Sequence, residues 1–330
     1  MRKIKVGALQ PAELTTIGQY RWGNPNYKPD IETIMAHSIL PQAEVTFALL
    51  EKAGEAGLDV VTTCEDISLS NAYIIDTTAS NVFREIVKRS YPIFEERISA
   101  IAKKYNMNII ACYYKPCDGA IYNTASAFNR SGEIVGEYKK AHLPCDEQFQ
   151  VTPGDSIHTI SMDFGTIGIM ICYDMMFPAM GEALSLLGAE VVFHPTFGYG
   201  WNDSIGEATV RTRASDGSFY LVTAKNYNGT AAGKSSVIDY WGTVLADAEY
   251  EKNALVWAEI DLDIQKAQPS WHVQTAITGQ PNMRLRHEGE RRTDLYGIVV
   301  EDALHKYAIL APGTEQDEYR KKVAANIYHW

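Results

Sequence analysis

Cysteine is scarce in this 330-residue chain, and its spacing matches no cross-linking or metal-binding pattern. There are five cysteines at scattered positions, and no Cys-x-x-Cys pair occurs. An odd count at such spacings argues against a disulfide framework and favours reduced thiols. No His/Cys cluster has the spacing of a zinc site. The sequence therefore predicts a protein with free thiols, no metal and no cofactor.

The chain also has fewer basic than acidic residues, and it has no long apolar segment. The formal net charge of -11 argues against nucleic acid or an anionic membrane as a partner. No stretch approaches the roughly 18 apolar residues that a membrane span needs. The opening sequence, MRKIKVGALQ, contains basic residues but lacks the long apolar segment of a signal peptide. We therefore expect a cytoplasmic protein without a membrane or nucleic-acid partner.

The residues that are present favour an α/β fold. The chain is 46% hydrophobic, which suits one large domain or two small ones. Helical patterns are predicted to end at Gly57, to begin at Pro92 and run to Tyr105, and to begin at Pro178 and run to Gly188. Short β-branched runs typical of strands recur at 4–9, 59–63, 108–114, 167–172, 190–194 and 220–224. Alternation of strands and helices predicts an α/β fold.

Three hairpin patterns qualify that prediction. Turn residues at 129–132, 164–165 and 241–242 each lie between two strand-like runs. Hairpins within an alternating α/β pattern indicate mixed sheets rather than purely parallel ones.

The alternating pattern of strands and helices weakens after about residue 265, and this position sets the predicted domain boundary. Residues 1–265 are predicted to form one domain, and 266–330 an extension that serves as an arm or an oligomer contact. Residues 13–30 are rich in Gly, Pro, Asn and aromatics and are predicted to form a long loop. Loops of that length in a compact domain are often functional.

Three reactive side chains follow strand-like runs, where open α/β sheets place their ligands. They are Glu65, Lys140 and Cys172. A Cys172 thiolate would be the nucleophile, and Glu65, with a pKa raised by burial, would take the thiol proton. Lys140 and a backbone N–H near Tyr173 would stabilise the oxyanion. Such a trio makes a hydrolase that needs neither metal nor cofactor.

The motifs around these residues resemble those of the nitrilase superfamily, the carbon–nitrogen hydrolases, whose members carry a Glu–Lys–Cys triad in this order. Residues 138–143, YKKAHL, and 171–178, ICYDMMFP, fit closely, while 59–65, DVVTTCE, departs from the usual stretch. Ala179 replaces the glutamate that usually follows the proline. Weaker resemblances occur at 188–196, 213–226 and 233–245.

The resemblance covers about residues 4–263 and implies several expectations. The fold would be a four-layer α-β-β-α sandwich with mixed sheets, assembled as a homodimer or larger homo-oligomer. Glu147 would orient Lys140 or the substrate, and the histidine at His142 would pack and form hydrogen bonds. The substrate would be a small molecule.

Further residues are candidates for lining the substrate pocket: His194, Tyr199 and Trp201. An acidic substrate would need a basic clamp, for which the candidates are Lys225, Arg211 and Arg213, although Arg213 also fits a structural role. Tyr20 and Trp22 of the long loop are candidates for covering the site.

The favoured function is hydrolysis of a non-peptide carbon–nitrogen bond in a carboxamide or an N-carbamoyl compound through a Cys172 thioester, releasing ammonia. The pair Tyr173-Asp174 resembles the amidase and carbamoylase branches more than true nitrilases. The alternatives are a nitrilase, a non-catalytic binding or assembly protein on the same scaffold, and a papain-like hydrolase that uses His142 or His194.

Overall fold

The computed structural model describes residues 1–14, 30–74, 82–144, 147–198, 203–227, 233–267 and 291–300. Two predicted pocket residues, Tyr199 and Trp201, lie outside the described residues. So do Tyr20, Trp22 and the rest of 15–29, together with most of the extension 266–330.

Within the described ranges, twelve strands form two six-stranded sheets. In chain order they are β1 Lys3–Gln10, β2 Val60–Thr62, β3 Asn108–Cys117, β4 Ala120–Phe128, β5 Ile134–Lys139, β6 Ile160–Ser161, β7 Thr166–Ile169, β8 Val191–Thr196, β9 Tyr220–Lys225, β10 Ser236–Ile238, β11 Val244–Asp247 and β12 Ala254–Asp261. The first sheet has the order β12-β1-β2-β3-β4-β5, and the second has the order β11-β10-β9-β8-β7-β6.

Each sheet has a parallel centre and antiparallel edges. In the first sheet β1, β2 and β3 run parallel, while β4, β5 and β12 pair antiparallel with their neighbours. In the second sheet β7, β8 and β9 run parallel, and β6, β10 and β11 are antiparallel. The three predicted hairpins are β4–β5, β6–β7 and β10–β11, so the prediction of mixed sheets is confirmed.

The described residues form seven α-helices. They are α1 Ile31–Ile34, α2 Leu40–Glu55, α3 Val82–Tyr105, α4 Pro178–Leu186, α5 Asp203–Gly217, α6 Leu262–Ala267 and α7 Gly297–Val300. Helices α2 and α3 pack on the first sheet, and α4 and α5 pack together on the second. The two sheets face each other through residues such as Val6, Ile110, Phe193 and Leu221. This arrangement confirms the predicted four-layer sandwich. Among the described residues, no helix is both long and apolar enough to cross a membrane.

Helix α3 begins ten residues earlier than predicted. Pro92 was expected in its first turn, but it lies inside the helix, and its ring is exposed. The missing N–H leaves the Lys88 carbonyl without its usual helical donor, which costs less at a solvent-facing position. The apolar face continues past the proline, with buried Phe83, Ile86, Val87, Phe94, Ile98 and Ile101. Packing of that face on the first sheet outweighs the local cost.

The segments that carry the predicted site residues all follow strand ends. Glu65 follows β2, Lys140 follows β5, and Cys172 follows β7. A residue outside β5 stabilises the position of Lys140: Gly154 N–H donates a hydrogen bond to the Lys140 carbonyl at 2.8 Å. A Cβ on Gly154 would lie 2.2 Å from the carbonyl oxygen of Lys139, so only glycine fits this approach.

Replacing Gly154 with alanine is therefore expected to destabilise the protein. We expect Gly154→Ala to lower the free energy of unfolding by about 1–3 kcal/mol, as for other overpacked sites. Urea unfolding followed by circular dichroism measures this change. Gly297→Ala is the control, because a Cβ there meets no atom within 4 Å. Equal stability of the two variants would contradict this account of the close approach.

Candidate active site

A buried lysine lies between two buried glutamates. Lys140 Nζ is 2.8 Å from Glu65 Oε1 and 2.6 Å from Glu147 Oε2. Burial opposes the lysine charge, but Glu65, Cys172 and Glu147 outweigh it and raise the pKa of Lys140 well above its usual value. Lys140 is therefore a fixed cation at neutral pH. An ammonium has three N–H donors, so two are used by the carboxylates and one remains for another acceptor.

Two further side chains hold these carboxylates. Tyr114 donates its hydroxyl to Glu147 Oε1 at 2.7 Å. Asn123 donates from Nδ2 to Glu65 Oε1 at 2.8 Å and to Glu147 Oε1 at 2.7 Å. Burial, the first cause, raises the pKa of Glu147, while Lys140 opposes that shift. The donors of Lys140, Tyr114 and Asn123 thus fix the orientation of the Glu65 and Glu147 carboxylates.

Cys172 lies at a sharp turn between β7 and α4. The apolar residues of β7 are buried in the core, and Pro178 opens α4 with a backbone angle suited to a helix start. Between them Cys172–Met176 forms a single 3-10 turn. Cys172 has φ 46°, in the left-handed region that non-glycine residues rarely adopt. Strain of this kind concentrates at functional sites.

Asp174 fixes this turn to the lysine segment. Its carboxylate accepts hydrogen bonds from Ile171 N–H at 2.9 Å, His142 N–H at 3.0 Å and Tyr138 hydroxyl at 2.8 Å. His142 Nδ1 is a further 2.7 Å from the same carboxylate. Asp174 is fully buried. It therefore ties the nucleophile candidate on one sheet to the lysine strand on the other.

The surroundings of the Cys172 thiol disfavour its ionised form. The side chains of Glu65 and Thr196 lie close enough to the thiol to influence its ionisation. Burial, followed by the charge of Glu65, raises the pKa of Cys172 to about 12, against the opposing effect of Lys140. The resting cysteine is thus a neutral thiol with a carboxylate beside it.

Both candidate histidines contact main chain and neighbouring side chains. His194 lies 3.2 Å from the carbonyl oxygen of Cys172 through Nε2 and 2.9 Å from the Thr223 hydroxyl through Nδ1. Burial lowers the pKa of His194 to about 3, so it is neutral and donates to the carbonyl. The His142 ring stacks on Phe177 with 3.8 Å between centroids. These contacts match the packing and hydrogen-bonding role that the resemblance implied for His142.

The N–H of Tyr173 fits the predicted oxyanion donor. Tyr173 directly follows the nucleophile candidate, and within the described part of the chain no hydrogen bond from its N–H is found. An unpaired N–H at a turn beside a thiol is the arrangement that oxyanion stabilisation requires. The Tyr173 ring is partly exposed and contacts Phe177 edge to face.

Arg213 supports the turn although Ala179 replaces the usual glutamate. Arg213 donates to the Met175 carbonyl at 3.2 Å and lies 3.5 Å from Asp216. Its buried Nε has no hydrogen-bond partner among the described residues. Arg213 therefore has a structural role in holding the turn.

These groups open onto one cavity of about 230 Å³. It is lined by Glu65, Asn71, Ile74, Tyr114, Lys140, Pro144, Glu147, Cys172, Tyr173 and Phe197. The lining brings together Glu65, Lys140, Cys172 and Glu147, as predicted. His194, Lys225, Arg211 and Arg213 are not among these lining residues. Neither the pocket role of His194 nor the basic clamp therefore has support in the described residues.

Several residues of the site were not singled out from the sequence. They are Asn71, Ile74, Tyr114, Asn123, Pro144 and Thr196. Asn123 offered one signal, because it lies on the strand that forms a hairpin with the strand preceding Lys140. The others are brought to the cavity by tertiary packing, which no local pattern reports.

Loss of Asp174 is expected to destabilise the turn and the whole protein. Asp174→Ala leaves several buried donors without an acceptor, so we expect a loss of about 3–5 kcal/mol in urea unfolding. Tyr138→Phe removes one of these donors, together with the acceptor of the Ala141 N–H, and is expected to cost about 1–2 kcal/mol. Asp155→Ala, at an exposed carboxylate, is the control and should change stability by less than about 0.5 kcal/mol. An Asp174→Ala protein as stable as this control would contradict the account.

Comparison with protein families matches part of this chain to the family model described as carbon-nitrogen hydrolase, over residues 93–268. Nitrilase homolog 2 of Dictyostelium discoideum is 31% identical over 186 residues, which cover 51% of this chain and 56% of that protein. Omega-amidase NIT2 of Homo sapiens is 31% identical over 183 residues, which cover 51% of this chain and 66% of that protein. The chain thus spans only about half to two thirds of the length of these relatives.

Solved structures share the fold at lower identity. A carbon-nitrogen hydrolase from Helicobacter pylori G27 superposes with a TM-score of 0.68 at 23% identity, covering 91% of this chain and 99% of that chain. An amidase from Nesterenkonia sp. gives a TM-score of 0.65 at 19% identity, covering 90% and 96%. The family match extends over more than half of the chain and includes Lys140 and Cys172. The chain belongs to the carbon–nitrogen hydrolase family, the nitrilase superfamily that its motifs resemble.

Proposed function

We propose that this protein hydrolyses a non-peptide carbon–nitrogen bond in a small amide or N-carbamoyl compound. The observation that carries the proposal is the Lys140 ammonium, held between two buried carboxylates in the cavity that also contains Cys172. A cation, a carboxylate and a thiol at one cavity supply the oxyanion donor, the base and the nucleophile of acyl transfer.

The first half-reaction makes a thioester. Cys172 Sγ attacks the carbonyl carbon while Glu65 takes the thiol proton. The third N–H of Lys140 and the N–H of Tyr173 bind the oxygen as it gains negative charge. Glu65 then passes the proton to the nitrogen, the carbon–nitrogen bond breaks, and ammonia or an amine leaves.

The second half-reaction restores the thiol. Water enters in place of the departed amine, and Glu65 takes a proton from it as it attacks the thioester carbonyl. The same donors bind the second oxyanion. When the carbon–sulfur bond breaks, the proton on Glu65 returns to Cys172 and the carboxylic or carbamic acid is released. All protons and electron pairs are accounted for without a cofactor.

The raised pKa of Cys172 makes the base essential to the proposal. A thiol with a pKa of about 12 provides almost no free thiolate at pH 7. Proton transfer to Glu65 therefore accompanies attack instead of preceding it. Glu147 serves to hold Lys140 in place, with its own orientation set by Tyr114 and Asn123.

Amides are the favoured substrate class within this reaction. The Tyr173-Asp174 pair resembles the amidase and carbamoylase branches, and two relatives bear the names omega-amidase and deaminated glutathione amidase. The Lys140 charge is taken up by two carboxylates, so it does not favour an acidic substrate. A nitrile substrate and a non-catalytic binding role remain the alternatives. A homo-oligomer in the cytoplasm, with the extension 266–330 as an arm or contact, completes the proposal.

A substrate panel tests the reaction class. We expect ammonia release from small carboxamides or N-carbamoyl amino acids, and loss of about 10⁴-fold or more in kcat for Cys172→Ala. Cys117→Ala, at a thiol outside the cavity, is the control and should retain full turnover. Activity confined to nitriles would overturn the choice of branch. Full turnover by Cys172→Ala would overturn the mechanism.

Alkylation of Cys172 by iodoacetamide tests the base without any substrate. With Glu65 as acceptor of the thiol proton, the wild-type rate should change little between about pH 7 and 9. In Glu65→Gln the reaction depends on free thiolate, so it should be slower at pH 7 and rise about tenfold per pH unit while the pH is below the thiol pKa. Mass spectrometry of the Cys172 peptide measures both rates, with the exposed Glu96→Gln as control. Identical profiles for wild type and Glu65→Gln would exclude Glu65 as the base.

A further inference from the structure

We propose that Asn123 is a positioning residue that directs one oxygen of Glu65 toward Cys172. The inference rests on the proposed function of Glu65 as the base and adds a residue outside the three motifs. Asn123 lies on β4 and is fully buried. Its side chain contacts Glu65 and Glu147, and its main-chain carbonyl contacts Lys140.

The main chain of Asn123 holds the lysine. Its carbonyl accepts the N–H of Lys140 at 2.9 Å, and it pairs with Tyr114 across the β3–β4 hairpin. Tyr114 is the residue that donates to Glu147. The position of Asn123 in the sheet is therefore set by the same strands that carry its partners.

The side chain of Asn123 bridges the two carboxylates. A primary amide has two N–H donors, and here one goes to Glu65 Oε1 and the other to Glu147 Oε1. Lys140 also joins these two carboxylates, so a cation and a neutral double donor close a ring of four groups. A neutral bridge holds the carboxylates without cancelling the remaining negative charge of the cluster.

The ring distinguishes the two oxygens of Glu65. Oε1 receives hydrogen bonds from both Lys140 and Asn123, whereas Oε2 receives the N–H of Phe197 at a longer 3.2 Å. The oxygen with fewer and longer hydrogen bonds retains more capacity to accept a further donor. Oε2 is therefore the oxygen that takes the proton of Cys172, and Asn123 prevents the carboxylate from rotating away.

A buried thiol sets the orientation of the amide. Cys112 Sγ lies 3.3 Å from Asn123 Oδ1 and donates its S–H to that oxygen. Burial raises the pKa of Cys112 well above its usual value, so the thiol stays protonated as a donor. The reversed amide would place Oδ1 against two carboxylates and lose every one of these hydrogen bonds. Cys112 thus contributes to the site indirectly, through the orientation of the Asn123 amide.

The test separates positioning from packing with two substitutions of Asn123. We expect Asn123→Ala to lower kcat by about 10- to 100-fold with KM changed less than about threefold, since a buried hydrogen bond to a charged group is lost. Asn123→Asp keeps the volume but adds a third carboxylate, so its kcat should fall at least as far. Cys172 alkylation by iodoacetamide at pH 7 should slow by the same factors.

Ser126→Ala is the matched control. Ser126 lies on the same strand, is equally buried and forms hydrogen bonds with Tyr113 and Glu137, outside the cavity. Its alkylation rate should stay within about twofold of wild type. Wild-type alkylation of Asn123→Asp, or equal rates for Asn123→Ala and Ser126→Ala, would overturn the proposal. Because alkylation needs no substrate, this outcome is independent of whether the substrate panel succeeds.

Two milder variants extend the test should the Asn123 variants fail to fold. Cys112→Ser keeps a donor to Asn123 Oδ1 and should be alkylated at Cys172 at nearly the wild-type rate. Cys112→Ala removes the donor and should slow alkylation several-fold. Wild-type alkylation of Cys172 in Cys112→Ala would show that the two carboxylates alone orient Asn123, and it would overturn the contribution of Cys112.

Discussion

Burying the Lys140 ammonium requires compensation, and the rest of the site follows from how that compensation is supplied. An isolated charge in a protein interior is prohibitively costly, so a buried lysine remains charged only beside anions. Glu65 and Glu147 provide them from two separate segments. Two carboxylates with one cation leave a net negative charge beside Cys172, which contributes to the raised pKa of that thiol. The same arrangement that keeps the lysine charged thus keeps the nucleophile protonated until a substrate arrives.

The two sheets contribute different halves of the chemistry. Glu65 and Lys140 follow strands of the first sheet, and Cys172 follows a strand of the second. Asp174 joins the halves, because it accepts hydrogen bonds from the lysine segment while it lies in the cysteine turn. Small displacements between the sheets would separate base and nucleophile, so a buried hydrogen-bonded contact at this point is more effective than apolar packing, which tolerates sliding.

Local patterns in the sequence predicted much of the fold and the principal residues of the cavity. Strand ends with a reactive side chain singled out Glu65, Lys140 and Cys172, because open α/β sheets place their ligands at the carboxyl ends of strands. The predicted start of α3 at Pro92 was wrong. A proline indicates a helix start from its local geometry alone, whereas packing of the long apolar face against the sheet extends the helix on both sides of it. Asn123 and Thr196 were missed for the same reason: an amide or a hydroxyl on a strand reveals its partner only once the strands are paired.

The pairing of β1 has a consequence for the order in which the molecule can form. This strand lies between β2 and β12, so one neighbour is about 50 residues away along the chain and the other about 250. Contacts over such separations form slowly. During synthesis the first sheet cannot be completed until residue 261 is available, by which time both sides of the cavity have been made. An interrupted chain that ends within the second sheet would contain the reactive thiol and its base, but it would leave the edge of β1 without its partner strand.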